Sequence, residues 1–254
     1  MKHIPNLFTL LNLFFGCLAI VFLLQNGIVI YESPEGKQLL ILPEKIWLGS
    51  LFIALAAIVD FLDGFIARLF SASSELGKQL DSLADVVSFG VAPGVILFQF
   101  LRLSFANEED GLNTSMIWLA PAFIIPCAAA WRLGKFNIDT TQSYSFRGVP
   151  TPAVGLLIAS FPMIYWYTDY VEIKNLFFNS WLLYAAIALL SWLMVSNLPV
   201  MSMKLRSRSL KDNLPRIILL LLSLILIFLF QWLAVPFIFL LYIVLSLAFK
   251  KQIA

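Results

Sequence analysis

The chain reads Asp60-Phe61-Leu62-Asp63-Gly64-Phe65-Ile66-Ala67-Arg68, and after eight further residues come Gly77, Asp81 and Asp85. The spacing is D-x2-D-G-x2-A-R-x8-G-x3-D-x3-D. Apolar sequence surrounds both halves of this motif, although a charged side chain at the centre of a membrane helix costs about 2.5–3.5 kcal/mol on insertion scales. The four carboxylates therefore need compensating partners, and their spacing indicates which ones.

The motif predicts two antiparallel helices whose acidic faces meet. In the first helix the motif residues recur at i, i+3, i+4 and i+7 from Asp60 to Ala67, so they share one face. In the second they recur at i, i+4, i+8 and i+11 from Gly77 to Ser88. The short link 69–76 turns the chain back, so both faces point at one site near one membrane surface.

The chain as a whole is predicted to be an all-α, polytopic membrane protein. Of its 254 residues 61% are hydrophobic and only 13% are charged, which is more apolar surface than a soluble domain of this length can bury. Apolar runs of about 18 residues or more recur along the sequence, and each can cross a bilayer. We expect about eight transmembrane helices, at roughly 6–25, 46–69, 78–101, 115–133, 152–168, 178–196, 214–231 and 234–249.

A basic loop separates the last two expected helices from the first six. It contains Lys204, Arg206 and Arg208, and only a tight turn near 232–236 separates the two helices that follow. We therefore expect a six-helix core over 1–200, and the basic loop with a transmembrane hairpin over 201–254. The loop charges are interpreted as a topology signal, with binding of anionic lipid headgroups as the alternative.

The distribution of basic residues predicts the orientation. Of the 17 Lys and Arg residues, four fall on one side of the expected spans and the others fall on the opposite side. The four are Lys37, Lys45, Arg102 and Lys174. The positive-inside rule then puts both termini and the acidic site on the cytoplasmic side of the inner membrane. An even number of spans agrees with that placement.

The residue types at the site limit its metal chemistry. Cys17 and Cys127 are isolated, and the only histidine is His3, so the clustered candidate ligands are carboxylate oxygens. Oxygen ligands suit Mg²⁺, Mn²⁺ or Ca²⁺. The four carboxylates and Arg68 sum to about −3, which protonation or divalent cations would relieve. Two divalent cations would leave about +1 and favour an anion such as a diphosphate.

Small residues lie on the same two faces as the carboxylates. Gly64, Ala67 and Gly77 would let the helices approach closely, or would leave room for a ligand against the backbone. Because carboxylates are directly adjacent, we favour the second interpretation.

At every motif position the sequence resembles the CDP-alcohol phosphotransferase family, and the resemblance extends over roughly residues 5–200. It implies transfer of a phosphoryl-linked group from a CDP-activated donor to an alcohol, with release of CMP. It also implies a six-helix, dimeric core with a two-metal site using Mg²⁺ or Mn²⁺. By the same resemblance, the metal ligands are Asp60, Asp63, Asp81 and Asp85. The resemblance also implies that Asp85 takes the acceptor proton. The residues that it places beside the cytidine nucleotide are Gly64, Ala67, Arg68 and Gly77.

Further segments resemble the branch of that family that uses serine. The run 86–94 after Asp85 reads VVSFGVAPG, and Val86 stands where branches using glycerol phosphate usually have Lys. Segments 5–12, 132–137 and 146–153 resemble the serine branch as well. The resemblance implies CDP-diacylglycerol and L-serine as substrates. Its candidate substrate-binding residues are Ser88, Arg132, Arg147, Asn6 and Thr9, with Asn12 as a further nucleotide contact.

Three other interpretations remain open. The same chemistry with choline, inositol or glycerol 3-phosphate as acceptor fits the motif equally well. A cation- or proton-coupled transporter also has intramembrane carboxylates, but these acids cluster at one depth and the halves show no internal repeat. A purely structural role would leave four acids on two converging faces unexplained. The expected partners are the lipid bilayer and a second copy of the chain, and no nucleic acid.

Overall fold

The computed structural model describes residues 4–32, 38–69, 74–106, 113–138, 145–202 and 210–250. Twelve α-helices are assigned in these segments, together with four short strands. The helices are α1 (Ile4–Gln25), α2 (Trp47–Leu69), α3 (Glu75–Asp85), α4 (Ala92–Phe105), α5 (Met116–Leu119), α6 (Ile124–Ile138), α7 (Thr151–Ala159), α8 (Phe161–Tyr167), α9 (Val171–Leu176), α10 (Ser180–Val195), α11 (Leu210–Phe230) and α12 (Ala234–Ala248).

The predicted all-α membrane architecture is confirmed. Five described helical stretches are long and apolar enough to cross a membrane, and two shorter apolar stretches accompany them. The last long stretch consists of α11 and α12, which pack against each other as the expected hairpin. The long stretches are Pro5–Gln25, Glu44–Ile66, Glu75–Phe105, Met116–Ile138 and Asn213–Ala248, and the shorter ones are Thr151–Tyr167 and Ser180–Val195.

The central helix of the bundle runs without a break through α3 and α4. Between them, Val86–Val91 forms a π-helical segment that begins directly after Asp85. Pro93, in the first turn of α4, has no N–H to donate to the carbonyl of Phe89 four residues earlier, and the irregular segment lies directly before this proline. A π segment widens the helix locally and is often found at functional sites. Here the π segment lies between Asp85 and α4, so it sets the direction of the Asp85 side chain relative to the side chains of α4.

The core forms where neighbouring helices surround this central helix. Phe89, Ile96 and Phe100 are fully buried, and α1, α6 and α7 pack against the π segment. The close approach of α1 requires a glycine, because a Cβ on Gly16 would lie 2.9 Å from the Cα of Ser88. Glu75–Phe105 is the most buried of the five long stretches and Asn213–Ala248 the least, as expected for a central helix and a lipid-facing hairpin.

Two short antiparallel strand pairs were not predicted. Strands β1 (Val29–Glu32) and β2 (Gln38–Ile41) pair after α1. Strands β3 (Ser145–Arg147) and β4 (Pro199–Met201) pair with Arg147 opposite Pro199. Gly148 follows β3 with φ 80° and donates its N–H to the carbonyl of Leu198 at 2.9 Å, so this turn needs glycine. The β3–β4 pair joins the segment before α7 to the segment after α10.

The hairpin packs against the six-helix part through α12, which contacts β4 and α7. The expected boundary near residue 200 therefore falls inside β4. The division into 1–200 and 201–254 stays a prediction.

Candidate active site

Three carboxylates from two helices converge. Asp60 and Asp63 lie on α2 and Asp81 lies on α3, and one oxygen of each lies within 4.8 Å of the others. Asp63 is 8% exposed, and the other two are half-buried. One buried oxygen of Asp81, Oδ1, has no hydrogen-bond partner among the described residues. A cluster of hard oxygen donors with an unpartnered buried oxygen fits a divalent cation, as the spacing predicted.

Asp85 lies one helical turn after Asp81 and outside that three-carboxylate cluster. Its side chain is buried at 6% exposure, and its Oδ1 accepts a hydrogen bond from Asn12 Nδ2 at 3.2 Å. The charges of Asp60 and Asp81 act on it at short range. Asp85 thus differs from the other three carboxylates in having a neutral amide donor as its partner.

Helix α1 supports the carboxylates from one side. Thr9 and Asn12, spaced i, i+3, share a face of α1, which packs against both α2 and α3. The Oγ1 of Thr9 lies 2.9 Å from Asp63 Oδ2, and Asn12 reaches Asp85. Thr9 and Asn12 therefore position different carboxylates, one on each acidic helix.

Two cavities meet at the carboxylates. The first cavity measures about 480 Å³ and is bordered by the start of α1 and the start of α3. The second cavity measures about 870 Å³ and lies between α2, α3 and α6. Both volumes are in the range of small-molecule sites. The residues that line both cavities are Asp63, Gly64, Lys78 and Asp81.

The second cavity contains a buried cation opposite the carboxylates. Arg132, on α6, is 8% exposed, and its Nη1 donates to the Thr151 hydroxyl at 3.3 Å. Its Nε has no hydrogen-bond partner among the described residues, and its charge interacts with that of Asp85. A buried guanidinium with a spare donor suits an anionic group of a ligand.

The two motif glycines, Gly64 and Gly77, have different surroundings in the structure. An added Cβ on Gly64 would find no heavy atom within 4 Å, whereas one on Gly77 would lie 2.9 Å from Asn6 Oδ1. Gly64 therefore borders open space, and Gly77 allows the close approach of α1. The interpretation that the glycines leave room for a ligand fits Gly64, and the close-approach alternative fits Gly77.

Most predicted site residues come together at these cavities. The first cavity is lined by Asn6, Thr9, Gly64 and Gly77, and the second by Asp60, Asp63, Asp81, Asp85 and Arg132. Ala67 and Arg68 lie in the last turn of α2, and Arg147 lies in β3, but their side chains are outside the described part of the structure.

Ser88 does not join the site. It is fully buried, its hydroxyl donates to the Ala84 carbonyl at 2.8 Å, and it is absent from the described lining of both cavities. The reason is the π segment, which turns Ser88 toward Gly16 of α1 instead of toward the cavity. The face shared at i, i+4, i+8 and i+11 therefore ends at Asp85.

The second cavity is also lined by residues that sequence reasoning missed, among them Lys78, Asn137, Met201 and Ser202. Lys78, which also lines the first, is i−3 and i−7 from Asp81 and Asp85, so its helical spacing was a usable signal. Its Nζ donates to the Asn137 carbonyl at 2.9 Å. Asn137 lies in the last turn of α6, within the segment 132–137 that resembles the serine branch. Met201 and Ser202 lie at the end of β4 and directly after it, and no motif marks them.

The chain matches a family model described as CDP-alcohol phosphatidyltransferase over residues 2–193. The chain belongs to the CDP-alcohol phosphatidyltransferase family. The matched range contains the four aspartates and Arg132, and it ends before Met201, Ser202 and the hairpin. The resemblance inferred from the motif is thereby confirmed, and the protein is a multi-pass membrane enzyme of this family.

Several proteins that are similar to this chain carry the same name. A CDP-diacylglycerol--serine O-phosphatidyltransferase of Helicobacter pylori is 32% identical over 228 residues, covering 88% of this chain and 81% of its own. Proteins of the same name from Saccharomyces cerevisiae and Bacillus subtilis are 34% and 33% identical over 165 residues. These alignments cover 61% and 63% of this chain and 52% and 77% of those proteins.

Proposed function

We propose that this phosphatidyltransferase transfers the phosphatidyl group of CDP-diacylglycerol to the hydroxyl of L-serine, giving phosphatidylserine and CMP. The observation that carries the proposal is the position of the carboxylates between two cavities that share Asp63, Gly64 and Asp81. A transferase of this kind must bring a donor and an acceptor to one phosphorus atom. The names of the similar relatives support serine as the acceptor.

The carboxylates are the proposed site of two divalent cations, Mg²⁺ or Mn²⁺. Asp60, Asp63 and Asp81 would hold them, with Asp85 as the further ligand that the family resemblance implies. When bound, such ions neutralise phosphate oxygens and stabilise the leaving group in phosphoryl transfer. Thr9 contributes by donating to Asp63, which holds that carboxylate in one orientation.

The first cavity is the proposed nucleotide site. Gly64 offers open space beside the acidic helix, where a cytidine diphosphate group can lie against the backbone. Asn6 and Thr9 supply polar groups from α1. The remaining proposed nucleotide residues, carried over from the family motif, are Ala67, Arg68 and Gly77.

The second cavity is the proposed acceptor site. Asp85 would accept the proton of the serine hydroxyl while that oxygen bonds to the phosphatidyl phosphorus and the bond to the CMP oxygen breaks. Asn12 would keep the Asp85 carboxylate turned toward the acceptor. Arg132, which lines this cavity, would pair with the serine carboxylate. Arg147 lies on β3, which pairs with β4, and is the proposed second cation of the substrate site.

The proposed setting is the cytoplasmic membrane, with both termini in the cytoplasm and the site near that face. The basic flanks of the helices support it through the positive-inside rule. A lipid donor could then stay in the bilayer while a polar acceptor arrives from water. A homodimer is proposed on family resemblance alone.

The test is CMP release by the purified protein with CDP-diacylglycerol and Mg²⁺ or Mn²⁺, comparing L-serine with glycerol 3-phosphate, inositol and choline. Serine-dependent CMP release that is absent in Asp85→Asn supports the proposal. Release with a different alcohol overturns the acceptor and keeps the mechanism. No CMP release from folded protein with any of these acceptors would overturn the proposed transfer reaction.

A further inference from the structure

The wall of the second cavity includes residues that the family match does not cover. Met201 and Ser202 line it, although the match ends at residue 193. The first cavity, in contrast, is lined from Pro5 to Asp81, entirely inside the matched range. The shared part of the family thus builds the first cavity completely and the second cavity only in part.

The C-terminal hairpin holds this wall by its backbone. The Tyr242 hydroxyl, on α12, donates to the Met201 carbonyl at 2.9 Å, and the Met201 N–H donates to the Ser246 hydroxyl at 3.0 Å. From α11, Arg216 Nε donates to the Ser202 carbonyl at 2.9 Å. Both helices of the hairpin therefore bind two consecutive residues of the cavity wall, and we call this set of contacts the hairpin clamp.

The clamp is buried and internally connected. Tyr242 is 7% exposed and Ser246 is fully buried, and the Ser246 hydroxyl also donates to the Tyr242 carbonyl at 2.7 Å. Buried polar groups of this kind are costly to leave unpaired, so the contacts hold the backbone in one position. On the cavity side, Arg132 lies near both Tyr242 and Asp85.

The clamp also reaches the β3–β4 pair. Met201 is the last residue of β4 and lies opposite Ser145, and Arg147 lies opposite Pro199. Moving the Met201 backbone would therefore move the strand that carries Arg147. The hairpin is connected in this way to the strand that carries Arg147.

We propose that the hairpin is a positioning element for the acceptor, with Tyr242, Ser246 and Arg216 fixing the cavity wall that shapes the acceptor site. This proposal rests on the proposed function, because it assigns the second cavity to the acceptor. None of the three residues is in the described lining of the second cavity. Their effect is transmitted through the backbone of Met201 and Ser202.

The test is a steady-state comparison of Tyr242→Phe with the matched control Tyr184→Phe. Tyr184 also donates its hydroxyl to a backbone carbonyl, that of Trp118 at 2.6 Å, but it lines a different cavity with Phe105 and Trp181. Both variants lose one hydroxyl-to-carbonyl hydrogen bond. We expect Tyr242→Phe to raise the KM for L-serine about tenfold, with kcat and the KM for CDP-diacylglycerol within about twofold of wild type.

Tyr184→Phe is expected to leave all three constants within about twofold. Ser246→Ala should raise the serine KM in the same direction, whereas Ser104→Ala, which removes a buried hydroxyl bonded within its own helix, should not. A serine KM that is unchanged in both hairpin variants, with an active wild type, overturns the clamp alone. A loss shared equally by kcat and both KM values would show a merely structural role and also overturns it. Absence of serine-dependent CMP release by wild type overturns the clamp together with the proposed function.

Discussion

Asn12 donates a hydrogen bond from Nδ2 to the Oδ1 of Asp85 at 3.2 Å, across 73 positions of the chain. The other amide atom, Asn12 Oδ1, is buried and has no hydrogen-bond partner among the described residues. Asn12 is thus a neutral donor to the one carboxylate outside the three-carboxylate cluster. Its place on α1, one turn after Thr9, links the first helix to the proposed general base.

Asn12→Ala is expected to lower kcat for CMP release about tenfold to hundredfold. The reason is that a hydrogen bond to a charged group is worth about 1.5–3 kcal/mol, and Asp85 would lose its orienting partner. The matched control is Asn26→Ala, because Asn26 directly follows α1 at its opposite end and its Nδ2 donates to the Phe22 carbonyl at 2.8 Å. Equal kcat values for Asn12→Ala and wild type would contradict this role.

The sequence predicted the helices and the acidic motif, because both depend on local patterns. Apolar runs define the spans, and the i, i+3 and i+4 spacings put Asp60, Asp63 and Asp81 on facing helices. The same periodicity placed Ser88 in the site, where the π segment after Asp85 turns it away. One inserted helical residue shifts every later position around the axis, and the i, i+4 spacing of the motif does not show it.

Contacts between distant segments were beyond sequence reasoning. Strand pair β3–β4 consists of two three-residue strands, too short to show alternation, yet it brings Met201 to the second cavity. Asn12 was a candidate for nucleotide contact, and its Asp85 partner depends on how α1 crosses α3. Packing, not composition, determines such pairs.

Asp85→Asn and Asp81→Asn should separate catalysis from metal binding. Asp85 lies outside the three-carboxylate cluster, so Asp85→Asn is expected to retain the Mn²⁺ held by Asp60, Asp63 and Asp81 while turnover falls about 10²- to 10⁴-fold. Asp81→Asn removes one of three clustered ligands and should weaken Mn²⁺ binding together with turnover. Mn²⁺ titration followed by electron paramagnetic resonance, beside CMP release, checks both. Loss of Mn²⁺ binding in Asp85→Asn would instead make Asp85 an essential ligand.

Chelation should destabilise the wild-type protein and have little effect on Asp81→Asn. Clustered carboxylates repel one another, and an ion bound at about 100 times its dissociation constant adds about 2.7 kcal/mol of stability. We expect Mg²⁺ or Mn²⁺ to raise the melting temperature of wild type in detergent, and EDTA to reverse the rise. An equal rise in Asp81→Asn would place the stabilising ion elsewhere.

Arg132→Lys is expected to raise the KM for L-serine about tenfold while leaving the KM for CDP-diacylglycerol within about twofold. Lysine keeps the positive charge but lacks the planar guanidinium. In Arg132 that group donates to Thr151 from Nη1, and its Nε has no partner among the described residues and can bind a carboxylate. Arg102→Lys is the control, because Arg102 lies in the last turn of α4 beside Phe98. Equal effects on the KM values for L-serine and CDP-diacylglycerol would show that Arg132 contributes to binding both substrates and is not specific to the acceptor.

Gly64→Ala tests whether the open space beside the acidic helix belongs to a ligand. An added methyl group meets no heavy atom within 4 Å at Gly64, and the same is true at Gly134 of α6, which is absent from the described lining of both cavities. Because alanine is favoured over glycine in a helix by about 1 kcal/mol, neither substitution should lower the melting temperature. Only Gly64→Ala is expected to raise the KM for CDP-diacylglycerol, by about tenfold or more, since its methyl group occupies the proposed nucleotide space. If Gly64→Ala and Gly134→Ala both keep the wild-type KM for CDP-diacylglycerol, the nucleotide does not lie against Gly64. The proposal that the first cavity binds the nucleotide is then wrong.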